Sequence, residues 1–218
     1  MFECILFDLD GTLTNPKEGI TKCVKYAIEA SGRQVPSLDE LEIFIGPPLK
    51  EQFKSYLSTD DEEGEFLLGK YRERFATVGI FENEIYPGIA GLLERLKNSG
   101  KKIALATSKP TVFAEKILFH FNILQYFDTV VGSELDGRRI DKEEVVAEVL
   151  SRLNPDPTKT VMIGDRCFDI IGGKKFGLKT IGVKYGFAKE NELEKENPDY
   201  IANSVSELEE MLCILRMQ

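Results

Sequence analysis

Cys4-Ile5-Leu6-Phe7-Asp8-Leu9-Asp10-Gly11-Thr12-Leu13 begins with four apolar residues and continues with two carboxylates separated by a single leucine. The apolar run reads as a buried strand, so the two acids stand at its mouth. Holding them together there is costly unless cations compensate them. Asp-x-Asp-Gly alone is most often a solvated turn. Its reading changes because Gly164-Asp165-Arg166-Cys167-Phe168-Asp169 follows another apolar run, Thr160-Val161-Met162-Ile163, far along the chain.

Between these two points the hydrophobic period changes twice. From Glu18 to Ala30, Ile20, Cys23, Val24, Ala27 and Ile28 recur at helical spacing, and Ser31-Gly32 close the run. Leu38 to Phe44, Leu49 to Leu57 and Glu65 to Thr77 read as further helices, separated by Gly46-Pro47-Pro48 and by an acidic, solvated loop from Thr59 to Gly64. Residues 16–83 thus read as an all-helical unit without a strand signal. If the strands on either side share one sheet, this unit is an inserted cap on an α/β catalytic core of residues 1–15 and 84–218.

In the second part, strands at Lys102 to Ala106, Thr129 to Val131, Thr160 to Ile163, Lys179 to Val183 and Tyr200-Ile201 alternate with helices. The helices run from Ile89 to Asn98, from Val112 to Phe121, from Lys142 to Leu153, up to about Phe176, and from Val205 onward. Asp141 with Glu144, and Ser204 with Glu207, have capping-box spacing. Such alternation predicts a mainly parallel, Rossmann-like sheet with helices on both faces.

A chain of 218 residues, 42% hydrophobic, can bury a substantial core. Its 37 acidic and 28 basic residues give a formal charge of -9, which repels polymeric nucleic acid and anionic lipid. Small anionic substrates remain open, since a local cation and a few aimed N–H groups outweigh the global field. Cys4, Cys23, Cys167 and Cys213 are scattered and read as reduced thiols of a reducing compartment. The chain opens into a strand without a basic leader, and no stretch approaches the roughly 18 apolar residues of a spanning helix. A soluble, cytoplasmic protein without a membrane partner is expected.

Ligands of open α/β sheets bind beyond the carboxyl ends of the strands. The first strand brings Asp8 and Asp10 to that edge, the second Thr107 and Ser108, and the fourth Asp165 with Asp169. Lys142 begins the helix after the third. Several carboxylates so close together stay ionised only beside cations, and a hard, oxygen-rich site suits Mg²⁺. A phosphoryl group would find donors in the hydroxyl of Thr107 or Ser108, in the N–H groups of the loop after Asp8, where Gly11 and Thr12 are candidate binding residues, and at the helix start after Lys109-Pro110. Gly11 permits the tight loop.

Asp8-Leu9-Asp10-Gly11-Thr12, the strand ending in Thr107, Lys142, and Gly164-Asp165 with Asp169 are spread in this order over nearly the whole chain. Together they resemble the haloacid dehalogenase (HAD) superfamily, in the phosphoglycolate-phosphatase-like group with a helical cap. The resemblance implies that Asp8 is the nucleophile, forming an aspartyl-phosphate, and that Asp10 is the general acid and later the base. It also implies Mg²⁺ held by Asp8, the main-chain carbonyl of Asp10 and Asp165, with Asp169 in support. Thr107 would hold phosphoryl oxygens, and Lys142 would neutralise developing charge and orient Asp8. The implied substrate is a small phosphorylated metabolite of the phosphoglycolate or 5′-nucleotide type. Many members carry Asn where Ser108 stands, and the Lys-Pro pairing of relatives is missing before Lys142, which makes Lys109 the alternative lysine. A phosphomutase of the same fold and a non-catalytic phosphate-binding regulatory protein are the competing readings. The acid at Asp10 argues against the latter.

Other features have plainer readings. Gly64 to Lys70 imitates a phosphate loop, but Tyr71 stands where Ser or Thr is required. His120, beside Phe119 and Phe121, and Cys167, with no histidine nearby in sequence, read as structural. Arg72 and Arg74 read as surface residues, and Ile45-Gly46-Pro47-Pro48-Leu49, followed by Lys50, as the cap turn that faces the core.

Overall fold

The computed structural model describes residues 2–214, with side chains described through residue 212. In chain order the elements are β1 (Cys4–Phe7), β2 (Thr14–Asn15), α1 (Lys17–Ala30), α2 (Leu49–Leu57), α3 (Asp61–Phe75), β3 (Glu84–Ile85), α4 (Ile89–Asn98), β4 (Lys102–Pro110), α5 (Thr111–His120), β5 (Thr129–Ser133), α6 (Lys142–Leu153), β6 (Thr160–Gly164), α7 (Cys167–Lys175), β7 (Lys179–Val183), α8 (Glu192–Lys195), β8 (Tyr200–Ala202) and α9 (Val205–Ile214). The chain forms two compact units, one of Met1–Thr14 with Ile85–Gln218, the other of Asn15–Glu84.

The first unit is an α/β fold built on a six-stranded sheet in the order β5-β4-β1-β6-β7-β8. Every neighbouring pair is parallel. Strands covered on both faces need no polar alternation, which is why β1 and β6 are continuous apolar runs. Cys4, Leu6, Ala104, Ala106 and Met162 pack on one face against Val145, Val146 and Val149 of α6. The strand order reverses direction at β1, with β4 on one side and β6 on the other, so the end of β1 is a switch point where ligands bind in such sheets.

Local details depart from expectation where backbone or tertiary partners win. β4 continues through Thr107 and Ser108 to Pro110, with its register to β5 shifting between Ala106 and Pro110. Pro110 therefore directly precedes α5. Asp141 makes no side-chain cap on α6, because the Glu144 N–H donates to the Asp141 carbonyl instead, at 3.0 Å. Ser204 does cap α9, accepting from the Glu207 N–H at 3.1 Å, but Glu207 reaches the Asn203 N–H at 2.8 Å.

The second unit is helical, with α3 packed on both α1 and α2. Phe44, Phe53 and Tyr56 cluster, with the Phe44 ring 4.9 Å from Phe53 and 5.4 Å from Tyr56. Leu38 to Phe44, expected as a helix, is a 3-10 turn over Glu40–Phe44. The acidic run expected as a loop is instead the start of α3. Asp60 accepts from the Glu63 N–H at 2.9 Å, and Asp61, Glu62 and Glu63 fill the first turn, where negative charge is favoured. Gly64 to Lys70 lie within this helix and form no loop. Arg74, read as a surface residue, is half-buried: its side chain is 21% exposed and pairs with Glu82 at 2.7 Å. β2 and β3, absent from the sequence reading, form a two-stranded ladder.

No disulfide joins Cys4, Cys23 and Cys167, and Cys213 lies outside the described side chains. Among the described residues, no helix is long and apolar enough to cross a membrane.

Candidate active site

Register places the first carboxylates. Phe7 pairs with both Leu105 and Ile163, so Asp8 emerges level with Gly164 and next to Asp165. The Asp8 N–H donates to the Ile163 carbonyl at 2.9 Å. Asp169, in the first turn of α7, folds back so that its Oδ2 accepts from the Arg166 N–H at 3.1 Å. Gly164 leaves the space for this, because a Cβ there would overlap the Asp169 carboxyl. As a result Asp8, Asp165 and Asp169 each offer an oxygen within 4.8 Å of the others. Lys142, the first residue of α6, reaches into the same cluster. Its Nζ lies 2.8 Å from Asp8 Oδ1, 2.8 Å from Asp169 Oδ1 and 2.9 Å from the Ala106 carbonyl.

Asp10 has a different lysine. Lys109 Nζ, on the irregular end of β4, lies 2.7 Å from Asp10 Oδ2, while Asp10 Oδ1 is buried without a hydrogen-bond partner. Lys109, read from sequence only as a substitute for Lys142, is therefore placed alongside it with a separate partner. Thr107 is buried, and its Oγ1 accepts from the Lys109 N–H at 3.3 Å. Ser108 is half-buried, and its carbonyl accepts from the Ser133 hydroxyl at 2.8 Å.

Two N–H groups of the loop after Asp8 are spent within the loop itself. The Gly11 N–H donates to the Thr14 carbonyl at 2.8 Å and the Thr12 N–H to the Leu9 carbonyl at 3.2 Å. The N–H groups of Leu9 and Asp10 are the pair in this loop left unspent by the described chain. Gly11 has φ +80, and a Cβ on it would overlap the Asp165 carboxylate, so it serves the cluster as well as the turn.

Crowding shapes the electrostatics. Burial, then Asp169 and Asp8, push the Asp165 carboxyl well above the ordinary range. Asp169 is raised by burial and by Asp8 against the opposing pull of Lys142. Asp10 is raised too, by burial first, with Lys109 opposing and Asp8 adding to the shift. For Lys142, burial works against the charge, but Asp169 and Asp8 outweigh it and hold the ammonium protonated. One oxygen of Asp165, Oδ1, is buried without a hydrogen-bond partner. An all-oxygen donor set with excess negative charge and an unsatisfied buried carboxylate oxygen fits a hard divalent cation. The Cys167 thiol, in contrast, is pushed up to about 11 by burial and then by Glu192, which disfavours the reactive thiolate.

Three residues of this region carried no signal in the sequence. Tyr185 donates its hydroxyl to the Thr12 carbonyl at 3.1 Å, and the Phe187 N–H donates to Asp165 Oδ2 at 2.7 Å. Tyr86 packs edge-on against Tyr185 with ring centres 5.0 Å apart. Burial, Asp165 and Asp10 raise its phenol. They lie on connecting segments without a motif, and only the fold brings them here.

Comparison with known proteins agrees with this arrangement. The model of the family described as haloacid dehalogenase-like hydrolase matches residues 5–183. The chain is 42% identical over 208 residues to a "5'-nucleotidase" of Pseudomonas aeruginosa, covering 95% of this chain and 94% of that protein. It is 34% identical over 213 residues to "Tyrosine-protein kinase PtkA" of Mycobacterium tuberculosis, covering 96% of this chain and 72% of that one. Among solved structures, a "predicted phosphatase" from Clostridium acetobutylicum matches with a TM-score of 0.94 at 45% identity, covering 98% of this chain and 99% of that chain. With the family match spanning most of the chain and the two acidic motifs at neighbouring strand ends, the protein belongs to the haloacid dehalogenase-like hydrolase family.

Proposed function

We propose that the protein is a Mg²⁺-dependent phosphomonoester hydrolase that works through an aspartyl-phosphate on Asp8. The observation that carries this reading is the Asp8 carboxylate, held by Lys142 at 2.8 Å, in one cluster with Asp165 and Asp169. Asp8 attacks phosphorus, forming a carboxyl O–P bond as the bond to the leaving oxygen breaks. Asp10, whose raised proton affinity suits a general acid, gives its proton to that oxygen. It then takes a proton from the water that attacks phosphorus, which releases inorganic phosphate and restores Asp8. Lys142 orients Asp8 through their ion pair, and the Leu9 and Asp10 N–H groups with Thr107 Oγ1 would receive the phosphoryl oxygens. Asp8, the Asp10 carbonyl and Asp165, supported by Asp169, would hold Mg²⁺, which neutralises the phosphoryl charge when bound.

The helical unit of residues 15–84 is proposed as the cap that excludes water and reads the leaving group. The substrate is a small phosphorylated metabolite. The relative named 5'-nucleotidase supports a 5′-nucleotide, with phosphoglycolate as the other candidate. The thiols Cys4, Cys23 and Cys167, without a disulfide, support a cytoplasmic setting. The relative named a tyrosine kinase supports a second reading, in which Asp8 passes its phosphoryl group to an acceptor other than water.

The test is phosphate release from p-nitrophenyl phosphate and from a panel of nucleotides, sugar phosphates and phosphoglycolate. Release should stop in chelator and return with Mg²⁺; activity that persists in chelator removes the metal from the mechanism. In ¹⁸O-labelled water each released phosphate should carry one ¹⁸O atom. Transfer to an organic acceptor without label would establish the second reading instead.

A further inference from the structure

The segment between β7 and α8 contains none of the motif residues, yet it touches both loops that carry the proposed catalytic carboxylates. Tyr185 bonds the Thr12 carbonyl, and the Phe187 N–H bonds Asp165 Oδ2 at 2.7 Å. Between them, Gly186 sits so close that a Cβ would overlap the Gly11 carbonyl and the Asp165 side chain. A single carboxylate then fastens this segment to the start of α7. Glu192 Oε2 accepts from the Lys189 N–H at 3.0 Å, and its Oε1 accepts from Arg166 Nε at 2.8 Å and from the Cys167 N–H at 3.0 Å. The side chains of Arg166 and Glu192 are only 10% and 11% exposed. Charge-assisted bonds that are largely shielded from water are among the stronger polar contacts, and a carboxylate at the N-terminus of α7 is further favoured by that helix.

These contacts divide the two oxygens of Asp165. Oδ2 is engaged by Phe187, and Oδ1 is the buried oxygen without a hydrogen-bond partner. We infer that Glu192 is a positioning residue: by tying Arg166 and Cys167 to Lys189, two residues after Phe187, it holds the Phe187 N–H on Asp165 Oδ2 and so presents Oδ1 to the cation. The inference rests on the metal-dependent reading of the site. A merely structural Glu192 would anchor α8 and contribute to stability, with no effect on metal affinity below the unfolding transition. A metal-positioning Glu192 alters that affinity through the Phe187 N–H, the direct partner of Asp165; loss of a direct partner typically changes affinity by about 10–100-fold, so an effect at the lower end of that range is expected.

The experiment is a titration of the metal-free full chain with Mn²⁺ alone, followed by electron paramagnetic resonance well below each variant's melting temperature. Wild type is compared with Glu192→Gln, Arg166→Met and Asp165→Asn, and circular dichroism confirms folding. Glu192→Gln and Arg166→Met should bind Mn²⁺ about tenfold more weakly or worse. In turnover, the metal concentration for half-maximal rate should rise more than kcat falls. If Glu192→Gln does not fold, Arg166→Met carries the test, since it leaves the Cys167 and Lys189 bonds to Glu192 in place. Wild-type Mn²⁺ affinity in the folded variants, with binding lost in Asp165→Asn, overturns the role of Glu192 and leaves the metal site standing. Undiminished binding in Asp165→Asn overturns the metal reading itself.

Discussion

Lys142 Nζ lies 2.8 Å from Asp8 Oδ1 across 134 residues of sequence, and both side chains are nearly buried, at 5% and 11% exposure. The same ammonium meets Asp169 at 2.8 Å, so one cation compensates two carboxylates that burial would otherwise penalise.

Replacing Lys142 by methionine removes that compensation while keeping most of the side-chain volume. Breaking a buried ion pair on one side costs about 3–5 kcal/mol. The urea midpoint should fall accordingly, and added Mg²⁺ should restore part of it by supplying another cation. A variant as stable as wild type without metal would show that the ammonium does not hold the cluster together. Turnover should be lost in either condition.

Asp8→Asn has the opposite effect on the fold. Asp8 raises the carboxyls of Asp10, Asp165 and Asp169, so removing its charge relieves the cluster. Stability in the absence of metal should hold or increase, while phosphate release falls by several orders of magnitude, as expected on loss of a nucleophile. Retained turnover in a folded variant would locate the nucleophile elsewhere.

The raised carboxyl of Asp165 gives a pH dependence of defined sign. In the unfolded chain this group titrates near about 4. Between there and its higher folded value, the native state holds a proton that the unfolded state has released, so the contribution of Asp165 to stability falls as pH rises. A divalent cation reverses this by favouring the ionised form. The melting temperature of metal-free wild type, relative to Asp165→Asn, should therefore decline with rising pH above about 4. The stabilisation by Mg²⁺ should grow over the same range. Calorimetry from acid to neutral pH, with and without Mg²⁺, measures both, and a pH-independent difference would contradict the shift.

Gly186→Ala places a methyl group against the Gly11 carbonyl and Asp165. Overpacking of this kind typically costs about 1–3 kcal/mol, and here it also pushes on the carboxylate cluster. Weaker Mg²⁺ binding, read as a higher Mg²⁺ concentration for half-maximal rate, and a lower melting temperature should appear together. Gly69→Ala is the control, because nothing beyond its chain neighbours and its own helix backbone lies within 4 Å of its Cβ position and it sits within α3. That change should leave activity unaltered and stabilise the helix by up to about 1 kcal/mol. Equal effects at the two glycines would exclude a specific role for Gly186.

Buried parallel strands leave a strong trace in sequence, since both faces are covered and the apolar run is uninterrupted. Cys4 to Phe7 and Thr160 to Ile163 are such runs, and each is followed by acids. For this reason the α/β architecture and the acidic strand ends were legible. Local polar bonds were less so. Asp60 to Glu63 look like any solvated acidic stretch until the Asp60 bond to the Glu63 N–H marks them as a helix start. Thr107 has the composition of a cap but lies in an extended, irregular strand end.

The order of residues by itself determined the alternation of strands and helices, and hence that Asp8, Asp10, Asp165 and Asp169 lie at carboxyl ends of the sheet strands. Tertiary structure alone decided which cation meets which acid: Lys142 takes Asp8 and Asp169, and Lys109 takes Asp10. It also decided that the segment from Tyr185 to Glu192 touches both acidic loops. The physical reason is that periodicity records which face of an element is buried, whereas an ion pair needs two atoms about 3 Å apart. That separation is set by strand register and by crossovers between distant segments, neither of which is written in the spacing of residues along the chain.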